Sequence, residues 1–128
     1  MLSEASVIPT IAVKDLKQAR EFYEEKLGLE TKRDLGEGGI IYKAGKGSAL
    51  LVYPSAASAG TNQATYAGFS VEDIEATMKE LRAKGVEFEE YDFPGLKTEN
   101  GVASYPGGGK SAWFKDPDGN ILALDQEA

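Results

Sequence analysis

The sequence predicts an α+β fold of two βαβββ repeats, forming a curled mixed sheet around a cleft with helices on the outer face. Three observations carry this. First, Val13-Lys14-Asp15-Leu16 returns as Val71-Glu72-Asp73-Ile74 at an offset of 58 residues, Lys26 and Lys84 share that offset, and Gly28 and Gly85 nearly do. Second, each of the two matching stretches stands where an apolar run gives way to a helical period. Third, each predicted helix is followed by short apolar runs cut by Gly, Asp and Pro turns. Neither half can readily bury its sheet face alone, so the two are expected side by side. The 128 residues suit one domain. Repeat 1 is expected over about 5–54, a linker over about 55–64 and repeat 2 over about 65–128.

The elements follow in order. Val7 to Val13 is apolar and partly β-branched and predicts a strand. Asp15 then suits an N-cap, with Gln18 three residues on as the second half of a capping box. Leu16, Ala19, Tyr23 and Leu27 share one face of the helix that follows, and Gly28 ends it. Residues 30–34 fit a polar strand, residues 36–39 a Gly-rich turn, and Ile40 to Ala44 and Ser48 to Tyr53 two strands joined through Gly45-Lys46-Gly47. Residues 54–64 are small, polar and aperiodic, as in a loop. In the second half a strand is expected from Thr65 to Val71. A helix opened by Asp73 then buries Ile74, Met78 and Leu81, and Gly85 stops it. Val86 to Tyr91 fits a strand, 94–100 and 105–110 fit loops, and Ser111 to Lys115 and Ile121 to Leu124 fit strands. Asp116-Pro117-Asp118-Gly119 joins the last two as a turn.

Composition removes whole classes of chemistry. There is no Cys and no His. Thiolate nucleophiles, disulfides, Ser-His-Asp triads and imidazole or thiolate metal sites are therefore absent, and any metal would need oxygen ligands alone. The net charge of −7 argues against a phosphate backbone or an anionic membrane as partner. It would favour a cationic small molecule through long-range attraction, although such a charge also simply keeps a protein in solution. The N-terminal MLSEASVIPTIAV carries an acid where a signal peptide has basic residues, so a cytoplasmic location is expected.

Two local patterns resemble the vicinal oxygen chelate superfamily, which includes glyoxalase I, extradiol dioxygenases and bleomycin-resistance proteins. V-K-D-L-x-x-A-x-x-F-Y-x-x-x-L-G-L over residues 13–29 is similar to that family's first strand-to-helix segment. Phe114-Lys115-Asp116-Pro117-Asp118-Gly119-Asn120 is similar to its last hairpin. The resemblance implies the fold stated above and, in the metal enzymes, one His, Glu or Gln ligand on each of four strands. Carried over, those positions are Ile8, Leu51, Tyr66 and Ala123. Three lack a donor atom, Tyr is a poor ligand when neutral, and a slip of one residue restores nothing. No metal and no cofactor is expected, and metal-dependent glyoxalase or dioxygenase activity is not expected either.

Other chemistry finds little footing. Gly107-Gly108-Gly109-Lys110-Ser111 ends like a phosphate-binding loop, but it lacks the first Gly of that motif and precedes a strand. Glu89 and Glu90 are adjacent on an extended segment and point apart, whereas Glu87 and Glu89 share a face with Tyr91 beyond them. A solvated or charge-protected strand edge accounts for that pattern better than an acid/base pair does.

The aromatic residues are the better lead. Period-2 alternation puts Leu51 and Tyr53 on one strand face, Tyr66 with Gly68 on another, and Trp113 with Lys115 on a third. If the positions carried over from the family line the cleft, then Ile8, Thr10, Leu51, Tyr53, Tyr66, Gly68, Trp113 and Ala123 line it too, and Tyr42 is added to this set. Two readings stay open, an aromatic ligand cleft or an aromatic sheet interior. The first makes the chain a metal-independent binding protein that sequesters a planar or cationic molecule. By resemblance it would act as a homodimer, as metal-free antibiotic-binding relatives do, on ligands such as bleomycin-like glycopeptides. A metal-independent lyase, isomerase or hydrolase acting on a small metabolite is the enzymatic alternative, with catalytic residues unknown. A module that only supports dimerisation is the third.

Overall fold

Asp15 and Asp73 each end a strand and begin a helix, as their matching contexts predict. In the computed structural model, which describes residues 1–128, an Asp15 carboxylate oxygen accepts from the Lys17 amide at 2.9 Å and an Asp73 oxygen accepts from the Ala76 amide at 3.1 Å. The Asp15 bond at Lys17 replaces the box expected with Gln18. The chain divides into two compact units, Met1–Thr61 and Asn62–Ala128.

In the first unit β1 (Thr10–Val13) leads into α1 (Leu16–Arg20), which continues as a π-helical segment over Glu21–Lys26. The strands β2 (Glu30–Asp34), β3 (Ile40–Lys43) and β4 (Ala49–Pro54) follow. They form a mixed sheet of order β1-β4-β3-β2, with β1 parallel to β4 and the other pairs antiparallel. In the second unit β5 (Thr65–Ser70) leads into α2 (Ile74–Ala83). A two-stranded hairpin of β6 (Asp92–Phe93) and β7 (Leu96–Lys97) intervenes before β8 (Ala103–Ser104), β9 (Lys110–Lys115) and β10 (Ile121–Gln126). The main sheet has the order β5-β10-β9-β8, again with one parallel pair, β5 with β10. The two units thus repeat one topology.

The helix ends explain one irregularity in the repeat. Gly28 and Gly85 both take positive φ, +73° and +90°. Behind them Val86 donates to the Leu81 carbonyl, five residues back, and Leu29 to the Tyr23 carbonyl, six residues back, both at 3.0 Å. The first helix has one residue more between its capping Asp and its terminal Gly than the second. The π-helical turn, in which Leu27 donates to Phe22, takes up that residue without breaking the helix.

Strand register sends the apolar residues to the helix side. Ile40 pairs with Val52, Tyr42 with Leu50, and Ile11 with Val52. All of these are buried, as are Val13 on the same strand face and Ala19, Phe22 and Tyr23 on the helix. In the second unit Ala112, Phe114, Leu122 and Leu124 are buried, with Ile74, Met78 and Leu81 from α2. Each large aliphatic side chain buried in this way contributes about 1.5–3 kcal/mol.

Two expected strands are corrected. Residues 7–9 lie outside β1. Val7 and Ile8 are exposed, and Pro9, which has no amide hydrogen, takes part only by accepting from the Leu51 amide. Val86 to Tyr91 is not a strand. One bridge, Phe88 to Phe114, and one bond, from the Glu89 amide to the Trp113 carbonyl, attach it to the edge of β9.

The 116–119 turn forms as its residues predict. Asp116 is nearly buried, and its carboxylate accepts from the Asp118 amide, the Asn120 amide and the Asn120 side chain at 2.8–2.9 Å. Asp116→Ala leaves these donors without their acceptor, and a loss of about 2–3 kcal/mol is expected. Asp73→Ala removes one exposed cap and is expected to cost about 1 kcal/mol. Urea unfolding of the two variants checks the ranking, and equal losses would contradict it.

Candidate functional site

Strand parity leaves each sheet a second face. In the second unit Ala123 on β10 lies between Gly68 on β5 and Trp113 on β9, and Asp125 lies between Ser70 and Ser111. Tyr66 is two residues before Gly68, at the bulge where the register of β5 with β10 shifts by one residue. This face therefore has small residues along its middle and larger ones around them. Trp113 and Tyr66 are half-buried, and Ala123 is buried.

Tyr91 closes the group from the edge. Its ring meets Trp113 edge to face, with centroids 5.5 Å apart and planes at 68°. Phe93 lies 5.9 Å from Tyr91 on a tilted plane. Burial, followed by the nearby Glu89 carboxylate, raises the Tyr91 hydroxyl above the usual tyrosine value, so it remains a neutral donor at ordinary pH. Glu89 pairs with Lys115 at 3.4 Å. Glu90 turns the other way, accepting from Thr98 Oγ1 at 2.6 Å and from the Gly101 amide at 2.9 Å. The two adjacent glutamates thus point apart, as alternation predicts. The Thr98 and Gly101 bonds hold Glu90 below the usual carboxylate range.

In the first unit Leu51 and Tyr53 are half-buried on the side opposite Leu50 and Val52, with Thr10 beside Leu51 and Ala12 beside Tyr53. Ile8 precedes the strand and is exposed. Tyr42 is a correction. It pairs with Leu50 and therefore faces the helix, fully buried, with its ring stacked on Tyr23 at 6.1 Å. Its hydroxyl donates to a Glu24 oxygen at 2.8 Å, and Arg20 donates to that same oxygen at 3.0 Å and to Asp34 at 2.6 Å. Tyr42 is thus a core residue, and the lone-strand pattern missed this because cross-strand register, not sequence, sets its side.

Metal chemistry finds no fit. Ile8, Leu51 and Ala123 carry no donor atom, and no group of three or more Asp or Glu side chains is placed to hold an ion. A separate recess of about 470 Å³ lies beside α2, lined in part by Glu75, Arg82 and Asn100. Two of its charges are engaged, Glu75 by Lys110 at 3.4 Å and Arg82 by the Asn100 carbonyl and the Phe88 ring, while Lys97 and Glu99 also line it. The aromatic face of the second sheet is the candidate taken forward, because it sets paired rings beside small residues. Sequence reasoning placed Trp113, Tyr66 and Ala123 on it. It set Tyr91 beside Glu87 and Glu89 without joining it to Trp113, and it missed Asp125. The signal for Asp125 was available, since it stands two residues after Ala123 on the same strand.

Burial, followed by the Glu24 hydrogen bond, pushes the Tyr42 hydroxyl well above the ordinary tyrosine value. Its contribution to stability is intact below the unfolded value of about 10 and is lost as pH rises beyond it. Tyr42→Phe is expected to cost about 1–2 kcal/mol at neutral pH. It is also expected to flatten the fall in stability above about pH 10. Urea unfolding across that range checks both, and parallel curves for the two proteins would contradict the assignment.

Comparison with known proteins bears on the fold. Residues 7–124 match the family model of the Glyoxalase/Bleomycin resistance protein/Dioxygenase superfamily. No curated protein matches the chain. Among solved structures, a glyoxalase / bleomycin resistance protein from Catenulispora acidiphila DSM 44928 superposes with a TM-score of 0.75 at 21% identity, covering 98% of this chain and 100% of that one. Lactoylglutathione lyase from Agrobacterium tumefaciens gives 0.71 at 18% identity, covering 96% and 93%. TnmS3, an antibiotic binding protein from Streptomyces sp. CB03234, gives 0.66 at 21% identity, covering 100% and 99%. At these identities the likeness shows the fold alone.

Proposed function

The chain belongs to the glyoxalase/bleomycin resistance protein/dioxygenase superfamily, and from that premise we propose that it is a metal-independent binding protein that sequesters a small planar organic molecule. The observation that supports the reading is the half-buried edge-to-face pair of Trp113 and Tyr91, with Ala123 and Gly68 next to Trp113 across the sheet and half-buried Tyr66 near the start of β5. Rings held edge to face are pre-set to stack on a flat ligand, and the small residues leave it room. Leu51 and Tyr53 are the corresponding candidates on the first unit, by the same parity; Tyr42 is not.

Two further points support binding over metal catalysis. The positions at which metal-using relatives carry ligands hold Ile8, Leu51, Tyr66 and Ala123 here. Antibiotic binding by TnmS3 is an instance of the function on this fold. The homodimer and the cytoplasmic setting belong to the same proposal and rest on the resemblance and on the N-terminal sequence.

Trp113 is the single tryptophan, so its fluorescence reports this face alone. Titration with a panel of two- and three-ring aromatic compounds is expected to give a saturable change for at least one compound. Tyr91→Ala is expected to weaken that binding by about tenfold, the scale of one lost aromatic contact. An unchanged spectrum across the panel at millimolar concentration would overturn the proposal.

A further inference from the structure

We propose that Asp125 selects a positively charged ligand on this face; the inference rests on the binding reading above and adds the charge class and the residue that sets it. Asp125 stands two residues beyond Ala123 on β10, on the side of the sheet that carries Trp113. Because Trp113 pairs with Ala123, Asp125 is its diagonal neighbour, at the spacing of about 7–8 Å that such pairs have. That distance matches a charged nitrogen attached to a fused ring system.

The carboxylate is held but not neutralised. Ser111 Oγ donates to one of its oxygens at 2.6 Å, and Ser111 is itself nearly buried, 5% exposed, in the middle of the sheet. No lysine or arginine pairs with Asp125. The two cations on β9 are taken elsewhere, Lys110 by Glu75 and Lys115 by Glu89, each at 3.4 Å. Asp125 thus offers an oriented negative charge at the diagonal strand position from Trp113, the combination that recognises an organic cation by ion pairing and cation–π contact together.

Gly68 is the second observation. Its φ is not in the left-handed region, so the backbone there does not call for glycine. Space does. A Cβ at Gly68 would stand 2.6 Å from the free Asp125 oxygen. The carboxylate therefore lies over the glycine. The net charge of −7 adds long-range attraction for the same class of ligand.

The probes are N-methylquinolinium and its neutral parent quinoline, measured by equilibrium dialysis against the full chain at pH 7.5. The wild type is expected to prefer the cation by about tenfold, and added potassium chloride is expected to shrink that ratio. Asp125→Asn is expected to bring the ratio close to one. Gly68→Ala keeps the charge but displaces the carboxylate and is expected to lower the ratio. Ser111→Ala, which removes a positioning hydrogen bond, is expected to lower it less than Asp125→Asn does. A wild-type ratio near one, with both compounds bound, overturns this inference and leaves the binding reading standing. So does a high ratio that survives in Asp125→Asn. If neither probe binds while other compounds in the aromatic panel do, the choice of a cation is wrong. If nothing in the panel binds, both readings fall.

Discussion

Each four-stranded sheet has one helix, and one helix covers one face. The rest of the structure depends on that constraint. Alternation along the strands must send the large apolar residues to the helix side, and it does so in both units, with Ile11, Ile40, Leu50 and Val52 in the first and Phe114, Leu122 and Leu124 in the second. What is left on the other side is a different population. Trp113 and Tyr66 on the second sheet, and Leu51 and Tyr53 on the first, remain half-buried. These side chains stand outside the buried core of each unit.

Much of this was legible in the sequence, for identifiable reasons. The two capping aspartates, the two terminal glycines and the Asp-Pro-Asp-Gly turn act through bonds to residues within a few positions, so local sequence specifies them. The faces of α2 and of β4 follow from fixed periods and were also readable. Tyr42 was not. A strand residue can point to either side, and only its pairing with Leu50 settles which. The 86–91 segment was unreadable for a related reason. Its alternation fits a strand, but β8 occupies the neighbouring edge positions of β9, pairing Ala103 with Ser111, and leaves room for one bridge.

The candidate site shows the same division. Tyr66 and Ala123 were reached through positions carried over from the family, and parity put Trp113 opposite Ala112 and Phe114. Joining Tyr91 to them requires an edge contact between segments distant in sequence, which no period encodes. The charges were harder still. Whether Lys110 and Lys115 neutralise Asp125 depends on Glu75 and Glu89 lying nearer to them, a matter of packing. Gly68 illustrates how a glycine can be misread. It looks like a weak point in a strand, yet it is the space that a neighbouring carboxylate fills.

The central claim is that the aromatic face of the second sheet, and not the helix side or the recess beside α2, receives a small organic molecule without a metal. Amide chemical shifts measured with and without a saturating planar compound, in buffer containing a chelator, test it most directly. The account expects shifts concentrated at Tyr66, Gly68, Tyr91, Trp113 and Ala123. Shifts centred on Met78, Arg82 and Val102, or binding that disappears in the chelator, would contradict it.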